Sequence, residues 1–221
     1  MMAYSQRFQM YGEISIQESF HAAETIKLLN LNEYDFMSSK HRVQDMQLFR
    51  KRILEAIIST DMALMKKLRA ELADHLSKFK IEGGSNAEQL IDTASRKTTE
   101  RSKQLVSNGL IHACDISTSL REFDLSTVWA DLLFEEFFNQ GDCEKAQGLE
   151  VSMLCDRKTT KVASGQEGFI QFVVMPIFIT LSNIVPVIKD VQLDSGNKNL
   201  VHWANRVEAE KKLAEKELKM K

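Results

Sequence analysis

The reading of this chain turns on residues 112–169. They run from His112-Ala113-Cys114-Asp115 through Trp129 and Glu135-Glu136-Phe137-Phe138. Gln140-Gly141-Asp142 and Leu154-Cys155-Asp156-Arg157 follow, and Gln166-Glu167-Gly168-Phe169 closes the stretch. One carboxylate, one amide and several large apolar groups recur on successive helical patterns. That combination predicts a pocket with a metal at one end and a flat, polar-edged ligand at the other. The strongest single helix lies inside it, at 124–139. Leu125, Val128, Trp129, Leu132, Leu133 and Phe137 form its apolar stripe, with Asp124 or Ser126 as N-cap and Gly141 as stop.

Outward from this centre the chain stays helical. Residues 13–30 carry Ile16, Phe20, Ala23 and Ile26 at helical spacing, and 31–45 read as a turn and a helix start capped by Ser38 or Ser39. Residues 42–75 give the longest amphipathic pattern, interrupted by Thr60 and Asp61. Those two either face solvent or fix a bend beside a pocket. The polar segment 77–100, with Gly83-Gly84, reads as a loop insertion within one domain. Residues 100–114 form a helix that delivers His112 and Asp115 at its end, and 142–150 read as charged and helical. Residues 159–188 give an apolar helix kinked or broken at Pro176 and Pro186. A polar loop is expected at 189–199, and 207–221 form a charged, solvated helical tail with i, i+4 pairs.

Composition supports an all-α fold. The 221 residues include 2 prolines and 9 glycines, and 43% are hydrophobic, enough for a sizeable core. A net charge of −2 argues against a general nucleic-acid binder. Three cysteines without CxxC spacing and a polar N-terminus fit an intracellular, cytoplasmic protein. The apolar run 169–188 contains Gln171, Pro176, Ser182, Asn183 and Pro186. It reads as a buried helix rather than a membrane span.

Chemistry-bearing motifs are sparse. The histidines at 21, 41, 75, 112 and 202 never fall within one helical turn of each other, and none precedes an aspartate. Zinc-protease spacing is therefore absent. There is no G-x-S-x-G and no Gly-rich phosphate loop. Glu135 and Glu136 are adjacent on a helix and point apart. Two residues stand out. Asp115 is either a metal ligand or a helix-end carboxylate that caps or salt-bridges. Gln166 is either a helix cap beside a core Phe169 or a buried amide that reads a purine edge while Phe169 stacks on the ring.

The segment from Leu110 to Phe172 resembles the C-terminal half of the class I 3′,5′-cyclic nucleotide phosphodiesterase catalytic domain. The resemblance rests on His112-Ala113-Cys114-Asp115-Ile116-Ser117, Trp129 and Glu135 to Asp142. It also rests on Gly148-Leu149, Leu154-Cys155-Asp156-Arg157 and Ser164 to Ile170. Ile58-Ser59-Thr60-Asp61-Met62 is similar to the family's A-T-D-M element. Tyr11 to Leu29 is similar to its S-V-L-E-N-H-H…F-K-L-L helix, with Ser19 and Phe20 replacing Asn and the first His.

The resemblance implies an all-helical bundle, truncated at the N-terminus. A partial catalytic domain would span 1–206, with the tail at 207–221. It also implies two divalent metals, zinc and magnesium, that activate a hydroxide against the cyclic phosphate. Carried over, Asp115 is a metal ligand and Gln166 binds the purine. Phe169 and Leu133 clamp the base, and Met62, Ile116, Phe137 and Leu154 line the pocket. Glu18 lies near the metal-bound waters.

The family's H-N-x-x-H and H-D-x-x-H elements have no counterpart in the ten residues before Tyr11, so one of four protein metal ligands is retained. No catalytic residue is assigned, because the general-acid histidine belongs to H-N-x-x-H. Thr118 stands where the family has Asn. Three functions follow as expectations. The first is metal-dependent hydrolysis of cyclic AMP or cyclic GMP by a longer protein. The second is a catalytically inactive nucleotide-binding or interaction module. The third is a structural helical protein. A cyclic nucleotide is the expected ligand, a homodimer is allowed, and the 221 residues alone are expected to be inactive.

Overall fold

A computed structural model describes residues 6–34, 43–81 and 96–219. Every regular element among them is helical. Ser38, Ser39 and the Gly83-Gly84 pair lie outside the described residues. The chain forms two compact units, Met1–Asp115 and Ile116–Lys221.

In the first unit, α1 (Gln6–Tyr11) leads into α2 (Ile16–Leu29), which packs on α3 (Val43–Ile58). The amphipathic pattern 42–75 is two helices, not one: α3 ends at Ile58 and α4 (Met62–Ile81) begins after a break. Ser59-Thr60-Asp61 causes that break. The Ser59 and Thr60 hydroxyls donate back to the Ala56 and Ile57 carbonyls at 2.7 and 2.8 Å. Asp61 Oδ1 accepts the Ala63 amide at 2.7 Å and so caps α4. The backbone does break at Thr60 and Asp61, the bend half of the second alternative.

α4 buries Met65, Leu68, Leu72 and Leu76, one stripe at helical spacing, toward α5 (Arg96–Asp115). The expected loop at 77–100 is helical where it is described: residues 77–81 continue α4 and 96–100 already belong to α5. The sequence at 77–81 carries no breaker, so nothing local stops the helix there. α5 packs on both α3 and α4. Arg101 ties the three together, donating to Glu55 of α3 and Glu71 of α4 at 2.9 Å each. The inner face of α5 is unusually polar: Ser102, Gln104, Asn108 and His112 are all buried. Gln104 Nε2 donates to Asn108 Oδ1 at 2.6 Å and to the Arg52 carbonyl at 3.1 Å.

In the second unit, a single 3-10 turn (Ser117–Leu120) precedes α6 (Phe123–Ala146). Neither Asp124 nor Ser126 caps α6. The helix starts before both, with Glu122 at the N-cap making no side-chain bond, and Ser126 is buried. Gly141 does not stop it either. The helix runs through Gly141 to Ala146, and the chain turns at Gly148 with φ 68°. Of the expected helix at 142–150, residues 142–146 are the end of α6 and 147–150 are not helical.

The apolar stripe of α6 is also not the side packed in this unit. Leu125, Val128, Trp129, Leu132 and Leu133 are 39–61% exposed, while Ser126, Ala130, Phe134 and Gly141 are buried. The packed face is the one with small side chains, where neighbouring backbones approach closely. Phe134 is its one large apolar residue, with ring centroids 5.8 Å from those of Phe137 and Phe138.

α7 (Val162–Leu181) is long and apolar enough to cross a membrane by length and composition. Ile170, Val174, Ile177 and Leu181 are fully buried within the protein. Pro176 does not break it. A widened π turn at Ile170–Val174 sits just upstream, which relieves the clash of the pyrrolidine ring with the preceding turn. The chain does leave the helix ahead of Pro186.

The polar segment 189–199 is helical, not a loop. A π turn at Lys189–Leu193 runs into α8 (Asp194–Lys219), which packs on α6 and α7 and contains the charged tail. Two buried groups hold α8. Asn199 Nδ2 donates to the Ser119 and Arg121 carbonyls at 2.9 and 2.8 Å. Trp203, 1% exposed, meets the Phe123 ring edge-on at 5.4 Å. Tertiary contacts thus order a stretch whose local composition reads as loop.

Candidate functional site

The first unit carries the candidate metal ligand, Asp115. Asp115 is the last residue of α5, and its side chain is exposed. One turn earlier, His112 is fully buried, with Nδ1 2.9 Å from the Ser59 carbonyl. That contact draws the end of α5 to the break before α4, so Asp115 and Met62 belong to the same end of the α4–α5 pair. Met62 is 45% exposed. Ser15, held at φ 49°, donates from Oγ to Asp61 Oδ2 at 2.6 Å and fastens the start of α2 to the same break. Glu18 is half-buried in the first turn of α2.

These residues do not make a metal centre. Among the described residues, no group of three or more His, Cys, Asp or Glu side chains converges on one point. A single exposed carboxylate satisfies neither the six oxygen ligands of magnesium nor the four-ligand set of zinc. The donor set of the described residues therefore does not fit a pair of divalent ions.

The second unit carries Gln166 and the apolar candidates around it. Gln166 is the fifth residue of α7, so it does not cap that helix. Lys161 holds the N-cap position, without a side-chain bond. Gln166 is 4% exposed, and an amide so placed needs partners that both donate and accept. Phe169, half-buried, lies three residues on and therefore on the same side of α7.

The first turn of α7 sits hard against α6. A Cβ at Gly165 would lie 2.9 Å from the Phe134 ring, so Gly165 lets the two helices close. On α6, Leu133 and Phe137 are four residues apart and share a face. Leu133 is 39% exposed and Phe137 is half-buried. Ile116 is buried. Leu154 lies in the segment between α6 and α7, 39% exposed, with φ 70°.

The contacts between that segment and α6 involve residues whose roles sequence reasoning missed. Glu144, buried at 5% exposure, accepts the Ser152 amide on Oε2 at 2.7 Å. Its Oε1 accepts the Ser152 hydroxyl at 2.7 Å and the Gln140 amide at 2.8 Å. The Ser152 amide first, then the Ser152 hydroxyl and Gln140, hold its carboxyl below the usual carboxylate range. Arg157 donates bidentately to Glu135 at 2.8 and 3.0 Å and also reaches Asp142 and Asn139. The Arg157 bond lowers the pKa of Glu135, and Lys145 lowers that of Asp156. Nothing in the local sequence marked Glu144 for burial. It lies three residues after Gly141, on the same face, with a serine eight residues on across a glycine turn.

The sequence matches the family model for 3'5'-cyclic nucleotide phosphodiesterase over residues 1–195. It is 31% identical over 201 residues to the probable 3',5'-cyclic-AMP phosphodiesterase pde-4 of Caenorhabditis elegans, covering 91% of this chain and 28% of that protein. It is 31% identical over 199 residues to isoform F of the 3',5'-cyclic-AMP phosphodiesterase of Drosophila melanogaster, covering 90% of this chain and 28% of the relative. The chain thus spans less than a third of the length of these relatives. Among solved structures, LmjPDEB1 in complex with IBMX superposes with a TM-score of 0.76 and 26% identity, covering 91% of this chain and 56% of that one. The match across most of the sequence, and the all-helical architecture it shares, place this chain in the 3′,5′-cyclic nucleotide phosphodiesterase family.

Proposed function

We propose that this chain serves metal-dependent hydrolysis of 3′,5′-cyclic nucleotides to 5′-nucleotides in signal transduction, and that its own share of the reaction is recognition of the base. The observation that carries this reading is Gln166. It is a buried amide on a helix of a family member, one turn from an aromatic ring. A primary amide offers one donor group and one acceptor, which complements a purine edge, and burial removes competing water. Phe169 supplies a face for stacking. Leu133, Phe137, Ile116 and Leu154 supply the apolar surroundings that make the amide selective. By the family resemblance, Met62 would line a pocket and Asp115 would be a metal ligand, both in the first unit.

When bound, the family's zinc and magnesium supply electrophilic activation at the phosphate. The described residues do not hold that pair. The family's H-N-x-x-H and H-D-x-x-H elements would supply the remaining ligands and the general acid. The free state of Cys114, Cys143 and Cys155 supports a reducing, cytoplasmic setting. A second reading, a nucleotide-binding module without chemistry, is favoured by the lone Asp115 among the described residues.

The test is titration of the purified chain with cyclic AMP, cyclic GMP and IBMX by calorimetry. Saturable binding that Gln166→Ala weakens by about 100-fold or more supports base recognition, because a buried polar partner is then left unpaired. Binding that is absent, or indifferent to Gln166→Ala, overturns it.

A further inference from the structure

Leu154 has a left-handed backbone, φ 70°, which L side chains rarely adopt. The segment around it explains how that state is held. Glu144 accepts both the amide and the hydroxyl of Ser152, two residues upstream of Leu154. One residue downstream, the Cys155 amide donates to the Ser152 carbonyl at 3.0 Å. The Cys155 carbonyl lies so close to Gly141 that a Cβ there would stand 1.9 Å from its oxygen. Cys155 is 3% exposed. Two residues downstream, Asp156 pairs with Lys145 at 2.7 Å, and Arg157 follows with its carboxylate pairs on α6. The segment is pinned to α6 on both sides of Leu154, and Leu154 itself carries none of those ties. Met153 beside it is 88% exposed, so the segment is not collapsed onto a core of its own.

We propose that Glu144 is a positioning residue for nucleotide selectivity: by gripping Ser152 it locks Leu154 in its left-handed conformation, and that sets how the Leu154 side chain meets the base of a 3′,5′-cyclic purine nucleotide. The inference rests on the reading of Leu154 as a lining residue of the base site. A buried carboxylate with three donors is a stiff anchor, since movement of Ser152 strips two of the three from a desolvated charge. Leucine, lacking hydrogen-bonding groups, has no local bond of its own to retain φ above zero. Once Ser152 is released, the backbone at 154 returns to the β or right-handed region, and the side chain leaves its place.

The experiment uses the full 221-residue chain as wild type, Glu144→Ala, Leu154→Ala and the double variant. Two readouts are taken: amide hydrogen exchange, and affinities for cyclic AMP and cyclic GMP. Glu144→Ala is expected to speed exchange across 149–155 by roughly tenfold or more while Val162–Leu181 stays protected. The ratio of the two affinities should shift by roughly threefold or more, and the double variant should show the ratio of Leu154→Ala alone. A role confined to stability would lower both affinities together and leave the ratio unchanged, and that outcome overturns the proposal. So does unchanged exchange at 149–155, or additive effects on the ratio in the double variant. Wild type that binds neither nucleotide sinks the base-site reading and this proposal together. Wild type that binds through Gln166 but keeps its selectivity in Glu144→Ala sinks this proposal alone.

Discussion

The Cα of Gly141 faces the backbone carbonyl of Cys155, and a methyl group at that position would stand 1.9 Å from the oxygen. The obstacle is backbone rather than the end of a flexible side chain, so it cannot step aside. Gly141→Ala must push the 149–157 segment off α6, strip bonds from Glu144 and expose Cys155. Overpacking of this kind destabilises by about 1–3 kcal/mol, and the lost Glu144 bonds place this variant toward the upper end. Urea unfolding followed by circular dichroism checks it. Gly168→Ala is the control, since a Cβ there meets nothing within 4 Å. With room for the methyl inside a helix, the alanine should raise stability by several tenths of a kcal/mol. Equal midpoints for the two variants would refute the steric account.

Stability should fall on acidification, and the direction follows from the carboxylates. Glu144 titrates below its ordinary value because of the Ser152 amide, the Ser152 hydroxyl and Gln140, and Asp156 does so because of Lys145. A carboxylate whose folded pKa is depressed contributes stability that is complete above its unfolded pKa. That contribution is lost as pH falls through the folded pKa. The loss should begin near the unfolded glutamate value of about 4.3 and deepen below it. Urea midpoints at pH 7, 5, 4 and 3 measure it. Glu144→Gln should start lower at pH 7 and lose less between pH 5 and 3. If Glu144→Gln loses as much as wild type over that range, the acid sensitivity resides elsewhere.

The sequence made the helical class legible, along with the helices at 13–30 and 100–114 and the buried apolar run near 170. It misled where periodicity marks a face without saying what covers it. The stripe from Leu125 to Leu133 satisfies every criterion for a core helix, yet the unit packs the opposite side. There Ser126, Ala130 and Gly141 allow close approach. Gly141 reads as a stop because glycine serves both at helix ends and at close backbone contacts, and only the position of Cys155 tells them apart. Residues 189–199 read as loop because Asp190, Asp194, Ser195, Gly196 and Asn197 are poor helix formers. What holds them is Asn199 on the Ser119 and Arg121 carbonyls, a bond across some 80 residues. In the candidate site, the burial of Gln166 matches the buried-amide alternative, and its place past the helix start removes the capping one. The burial of Glu144 was not legible, because a charged residue in a charged run carries no mark of it.

The Ser15–Asp61 bond should behave as a joint between α2 and the start of α4. Asp61→Ala removes a helix cap and the acceptor of the Ser15 hydroxyl, for about 2 kcal/mol in all. Ser15→Ala removes only the second and should cost about 1 kcal/mol. In the double variant the serine change should add almost nothing to the aspartate change. Additive losses would mean that Ser15 acts through its left-handed backbone rather than through its hydroxyl.

Turnover by the chain alone is the sharpest test of what it lacks. Hydrolysis of a cyclic phosphodiester at enzymatic speed needs charge held against the phosphate and a proton delivered to the leaving oxygen. Asp115 is one exposed carboxylate, and water competes fully for any cation beside it. The buried His112 contacts a backbone carbonyl, away from solvent. Neither arrangement positions an acid or holds two ions. The purified chain, incubated with cyclic AMP and with zinc, magnesium or both, should therefore turn over far below the ordinary range of about 1–1000 per second. Binding that depends on Gln166 should persist whether or not a chelator is present. If chelation abolishes binding, or if metal-dependent turnover reaches about 1 per second, then these 221 residues hold a functional metal pair and the proposed division of labour is wrong.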